Sequence, residues 1–191
     1  RFESHHTIGS LYNQGIINEG ATQLRHLAEK LRNFSAIQAA PIPKLLLAEL
    51  REYQHQGLNW LQFLREYELN GILADDMGLG KTIQTLSHLL LEKEQGRLNG
   101  PSLIVAPTSV LFNWAKEIDK FTPDLSYIVI NGAKRQEHFE QLEQYDIVIT
   151  SYPLVLKDTE VHQQHVYYYL ILDEAHYIKN PKTKLYKAML T

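Results

Sequence analysis

The chain has 191 residues, 19 Lys+Arg against 22 Asp+Glu, 44% hydrophobic residues and no cysteine. It can bury a real core, and it excludes a disulfide scaffold, thiol catalysis and cysteine-bound zinc. A net charge of −3 offers no basic field for nucleic acid, and no apolar run approaches the roughly 20 residues of a membrane span. The first residues lack the basic-then-apolar layout of a signal peptide, so a soluble chain is expected.

Residues 1–18 are polar with scattered Ile and Leu and carry no firm element. Leu24, Leu27, Leu31 and Phe34 then recur at spacings of three and four, which predicts an amphipathic helix. Pro41-Ile42-Pro43 ends it as a short stiff linker. Leu50, Tyr53, Gly57, Trp60, Leu61 and Leu64 mark one face of a second helix. From Gly71 the texture changes, with short apolar runs at 71–74, 103–106, 127–130, 146–150 and 167–172. Helical stripes separate most of them: Ile83, Leu86, Leu89 and Leu90; Val110, Leu111, Trp114, Ile118 and Phe121; and a shorter one with Phe139 and Leu142. Apolar strands alternating with helices predict a doubly wound α/β domain, its parallel sheet covered on both faces. Such sheets bind ligands at the carboxyl ends of their strands.

Two of those ends carry chemistry. Asp75-Asp76-Met77-Gly78-Leu79-Gly80-Lys81-Thr82 falls between an expected strand and an expected helix. Gly78 and Gly80 let successive N–H groups turn toward phosphate oxygens, and the helix adds its positive end. Lys81 can reach the terminal phosphates of ATP, and the Thr82 hydroxyl can hold Mg2+. Asp75 stands where phosphate loops usually have glycine. The second end is Leu172-Asp173-Glu174-Ala175-His176. Adjacent carboxylates closing a buried strand need a cation or water, so Asp173 is expected to hold Mg2+, partly through water, and Glu174 to activate water.

Other features carry less. His162 and His165 form no metal site without further ligands and read as part of a solvated stretch. Lys134 and Arg135 read as a basic helix start on the surface, Tyr167-Tyr168-Tyr169 as strand packing, and Trp60 and Trp114 as core. Pro107-Thr108-Ser109 and Thr150-Ser151-Tyr152 both follow expected strands. Their hydroxyls can grip phosphates along one edge, or cap helices and turns as Ser and Thr often do.

Together these segments resemble the first RecA-like lobe of a superfamily-two helicase, and more narrowly the Swi/Snf-type DNA translocases. The resemblance covers residues 44–191, with 1–43 as a helical lead-in and linker similar to that of bacterial members. The segment from Leu50 to Leu61 resembles the adenine-sensing segment, which implies that Gln54 reads the base. Residues 75–82 match motif I, acidic residue included, which implies ATP contacts from Asp76, Met77, Gly78, Leu79, Gly80, Lys81 and Thr82. The segment from Ala106 to Trp114 resembles motif Ia and Thr150-Ser151-Tyr152 motif Ib, implying DNA contacts at Pro107, Thr108, Thr150, Ser151 and Tyr152. Asp173-Glu174-Ala175-His176, with Ile178-Lys179-Asn180 after it, resembles this family's motif II, a DEAH box, with Glu174 and Lys81 as the catalytic pair. The resemblance implies an ATP- and Mg2+-dependent motor on double-stranded DNA, in the bacterial cytoplasm around the nucleoid or in a nucleus. It also implies a second RecA-like lobe beyond Leu190-Thr191, which begin the family's motif III. An RNA helicase lobe, and a nucleotide-binding scaffold without turnover, are the alternatives.

Overall fold

Ser102–Ala106 (β1) places five consecutive buried residues in one strand, and Ile147–Ser151 (β3) places five more. A strand buried along its whole length must have both faces covered, and alternation sorts its side chains between them. Ile104, Ala106, Ile147 and Ile149 enter one cluster, and Leu103, Val105 and Val148 enter the other. With Tyr127–Ile130 (β2) and Leu170–Leu172 (β4) these strands form a parallel sheet in the order β2-β3-β1-β4. The register sets Ile104 beside Ile149 and Ile171. Parallel pairing brings Pro107, Asn131, Tyr152 and Asp173, each next after a strand, to one end of the sheet.

The structure is a computed structural model that describes Arg32 and residues 36–189, in two compact units. The helix expected from Leu24 to Phe34 lies outside the described residues except for Arg32, which is helical. Within 59–72, part of the smaller unit, Trp60 stacks on Phe63 at 5.6 Å, and Tyr67 lies tilted against Phe63 at 4.6 Å. These residues include the later turns of Glu52–Glu66 (α1), which ends where the Leu69 N–H donates to the Leu64 carbonyl.

In the larger unit, Lys81–Glu94 (α2) and Leu111–Phe121 (α3) cover one face of the sheet. Leu86, Leu89 and Leu90 from α2 meet Leu111, Trp114 and Ile118 from α3 there. Tyr152–Lys157 (α4) covers the other face through Tyr152 and Val155, joined by Leu185 from Lys184–Ala188 (α6). Thr159–His162 (α5) is a single turn between them. Truncating one of these buried aliphatic side chains to Ala would cost about 2–5 kcal/mol. Among the described residues no helix is long and apolar enough to cross a membrane.

Three expectations are corrected. Residues 71–74 form no strand: Ile72 is 80% exposed, and a run opened by glycine with two large apolar side chains drives little pairing. The helix at Ala133–Gln144 is a 3-10 helix, in keeping with Phe139 and Leu142 standing three apart, which align at three residues per turn. The final strand starts at Leu170 and not Tyr167: the backbones of Tyr168 and Tyr169 still bond Pro101 and Leu103, while the hydroxyls of Tyr168 and Tyr167 bond Glu92 and His162.

Candidate functional site

The loop before α2 makes its turn with two left-handed glycines, Gly78 at φ 84° and Gly80 at φ 78°. The positive φ disfavours a side chain at Gly80, and one there would also push Gln54 Nε2, 2.6 Å away, off its place. No side chain caps the N-terminus of α2. With glycine at the cap position, its first N–H groups and positive dipole end suit a phosphate. Lys81 folds back over the loop, its Nζ donating to the carbonyls of Asp75 at 2.8 Å and Asp76 at 3.1 Å. Both acceptors are neutral, so a phosphate oxygen would be the stronger partner. Met77 is 87% exposed at the loop's tip.

Two side chains brace this loop. Gln54 accepts from the Arg51 N–H at 3.0 Å, capping α1, and donates to the Leu79 carbonyl at 3.2 Å. The residue expected to read a base thus has both ends of its amide engaged by the protein. Asp75 accepts from the Gln84 side chain at 2.8 Å, one turn into α2. That bond gives the acidic replacement of the usual glycine a job, tying the loop to its helix. Gln84 is fully buried, and a side chain on Gly57 would collide with it at 1.7 Å.

The carboxylate end is held differently. The Asp173 N–H donates to the Val105 carbonyl at 2.9 Å, and the Asp173 carbonyl accepts from the Tyr152 hydroxyl at 2.6 Å. Its Oδ2 accepts from the Trp114 indole at 2.9 Å. Tyr152 is 1% exposed and stacks on Tyr177, with ring centroids 5.1 Å apart. Burial pushes its hydroxyl pKa up, and the charges of Asp173 and Glu174 push it further, so it remains a donor. Glu174 adopts a left-handed backbone at φ 53°, which costs a residue with a Cβ roughly 1–2 kcal/mol. Its side chain is 41% exposed, with Oε2 3.3 Å from His176 Nδ1.

Helix α3 lies against both α2 and the strand-end carboxylate: it shares a core cluster with α2, and its Trp114 reaches Asp173. On the same helix, burial raises the Glu117 carboxyl pKa and the Asp173 charge adds to that, while Lys120 and the Thr82 hydroxyl pull it down. The residues fit Mg2+: a hydroxyl at Thr82, and a carboxylate at Asp173 whose Oδ1 takes no hydrogen bond from the described residues.

The surface readings of Arg135 and His162 fail here, and the expected DNA-contact residues divide by burial. Thr150, Ser151 and Tyr152 are buried, Thr150 bonding the Ile130 carbonyl, so their side chains are not offered along an edge. Thr108 and Ser109 are exposed, and Pro107 half-buried, at the turn into α3. Arg135 is not a surface cation: it makes a two-pronged ion pair with Asp158, at 2.6 and 2.7 Å, with both side chains buried. His162 is buried too, with Tyr167 on its Nδ1 at 2.7 Å, and desolvation lowers its pKa. Among the described residues no group of three side chains could hold a metal through His, Cys, Asp or Glu. Trp114, Glu117 and Gln84 went unpicked by sequence reasoning. The available signals were the three-residue spacing of Trp114 and Glu117, which puts them on one helix face, and a glutamine inside the apolar stripe of α2.

Comparison with known proteins fits this geometry. Residues 53–191 match the SNF2-related domain. The chain is 44% identical over 159 residues to Helicase swr1 of Aspergillus fumigatus, covering 79% of this chain and 9% of that protein. It is 43% identical over 178 residues to the putative ATP-dependent helicase/translocase YwqA of Bacillus subtilis, covering 92% of this chain and 19% of that one. The Sulfolobus solfataricus SWI2/SNF2 ATPase core in complex with dsDNA superposes with a TM-score of 0.72 at 41% identity, over 79% of this chain and 31% of that one. The chain thus spans about a tenth to a fifth of the length of these curated relatives.

Proposed function

Because the chain belongs to the SNF2-related domain family, we propose that it is the nucleotide-binding lobe of an ATP-hydrolysing motor that moves along double-stranded DNA. The observation that carries this reading is the left-handed glycine loop at the start of α2 with Lys81 folded over it, in a fold that also fixes the carboxylate residue Asp173 at the carboxyl end of the sheet. The site residues divide the work. The N–H groups of residues 78–82 cradle the phosphates, and Lys81 exchanges its two carbonyl partners for oxygens of the terminal phosphates. Thr82 and Asp173 would hold Mg2+, which supplies charge neutralisation at the phosphates when bound. Glu174 orients the attacking water and takes its proton. Gln54, already against the loop, monitors nucleotide through the Leu79 carbonyl it bonds.

Thr108 is the exposed candidate donor for a DNA phosphate contact, with the half-buried Pro107 shaping the turn before it, so the contact is made by a neutral donor and not by a basic field. The buried Thr150, Ser151 and Tyr152 drop out as side-chain contacts. A second RecA-like lobe of the longer protein supplies the positive charge on the γ-phosphate, a contribution worth roughly 10³–10⁵ in rate. Its work on DNA sets its place at the nucleoid or in the nucleus. The test is steady-state phosphate release by the full-length protein with no polymer, duplex DNA or RNA. Stimulation by duplex DNA, abolished by Lys81→Ala, is expected. Stronger stimulation by RNA would select the RNA helicase alternative, and no turnover at all would select the scaffold.

A further inference from the structure

The Trp114 indole is 5% exposed and packs in the cluster with Leu86, Leu111 and Ile118. Its ring alone would make it a core residue, but a buried indole N–H needs an acceptor. That acceptor is Asp173 Oδ2, 59 positions away in sequence. The Asp173 backbone is fixed on both sides, by Val105 and Tyr152, so its remaining freedom is rotation of the carboxylate. The Trp114 bond removes that rotation.

We propose that Trp114 is a positioning residue for the metal-holding carboxylate. It engages Oδ2, so that Oδ1 would be the oxygen to hold Mg2+, directly or through a water, when the cation binds. A neutral donor suits this task better than a lysine or arginine. It orients the carboxylate without cancelling the negative charge that the cation needs, whereas a paired cation would compete with the metal. The inference rests on the reading of Asp173 as a Mg-ATP ligand given above.

The test uses the full-length protein with Trp114→Phe, which keeps an aromatic ring in the core and deletes the N–H. Calorimetry measures ATP affinity in EDTA and along a Mg2+ titration, and Mn2+ binding in the presence of ADP is followed by electron paramagnetic resonance. The variant should need about tenfold more Mg2+ or Mn2+, with ATP affinity in EDTA unchanged. Adding Trp114→Phe to Asp173→Asn should change the metal requirement no further, because the residue acts through Asp173. Equal loss of ATP affinity with and without metal, alongside a fall in melting temperature, would make Trp114 a packing residue only and overturn the proposal. An unchanged metal requirement would overturn it too, while leaving the nucleotide site standing. If the wild-type protein shows no Mg2+-dependent ATP binding, the reading of the site fails first and takes the inference with it.

Discussion

The glycine loop before α2 and the end of β4 belong to one candidate site but are built in opposite ways. Around Gly78 the chain is exposed, held by a few polar bonds from Gln54, Lys81 and Gln84 to the loop. Asp173 is pinned through its N–H, its carbonyl and its carboxylate, and two of the three partners are buried aromatic side chains. The contrast teaches which half can rearrange. Lys81 can leave two neutral carbonyls for a phosphate at little cost, whereas moving Asp173 disturbs two cores at once, since Trp114 and Tyr152 lie in different clusters on opposite faces of the sheet. A pliable half suits a flexible polyphosphate, and a fixed half suits a small, demanding cation.

The largest effect should come from breaking the chemistry while leaving both halves in place. Glu174→Gln keeps a polar side chain but cannot take a proton, so turnover should fall about 10³-fold with ATP binding retained. Rapid-quench phosphate release and calorimetry on the full-length protein check the two parts separately. Next comes the pliable half. Lys81→Ala should weaken Mg-ATP about thirtyfold and AMP hardly at all, because a charge-assisted contact to the terminal phosphates is lost. Equal losses for both ligands, measured by competition, would move Lys81 away from those phosphates. The melting temperature should scarcely change.

Tyr152→Phe strikes the fixed half. It leaves the buried Asp173 carbonyl without its donor and should cost about 1–2 kcal/mol in urea unfolding. Loss of DNA affinity with unchanged stability would instead return Tyr152 to the DNA contacts first expected of it. The smallest effect is electrostatic. The folded protein binds the Glu117 proton more tightly than the unfolded chain does, so ionising this group opposes folding as pH rises through its raised pKa. Without metal, Glu117→Gln should therefore stabilise the protein at pH 7.5 and be neutral well below the ordinary carboxyl value. Chemical denaturation at the two pH values reads the difference.

The legible parts of the sequence were those whose chemistry is local. Gly78, Gly80 and Lys81 announce a tight turn into a helix because positive φ and a helix start are properties of adjacent residues, and Asp173-Glu174 after an apolar run announces a strand end. The burial pattern of β1 and β3 was legible for the same reason. What failed depended on partners distant in sequence. Residues 71–74 have strand texture but no ladder, and apolar texture does not reveal a pairing partner. Trp114 reads as core and is core, yet its one polar atom finds Asp173 only in three dimensions. Arg135 and His162 look like surface residues until Asp158 and Tyr167 are found beside them. The hydroxyls of Thr150 and Tyr152 point back into the fold because their acceptors, the carbonyls of Ile130 and Asp173, belong to neighbouring strand ends.

The measurement closest to the central claim is amide hydrogen exchange on the full-length Glu174→Gln protein, with and without Mg-ATP. The N–H groups of residues 77–82 should exchange quickly without nucleotide and slow strongly when it binds. The Asp173 N–H, already bonded to Val105, should be protected in both states. Protection that appears at Asp173 only with nucleotide, or that never appears across residues 77–82, would contradict a site made of one pliable half and one fixed half.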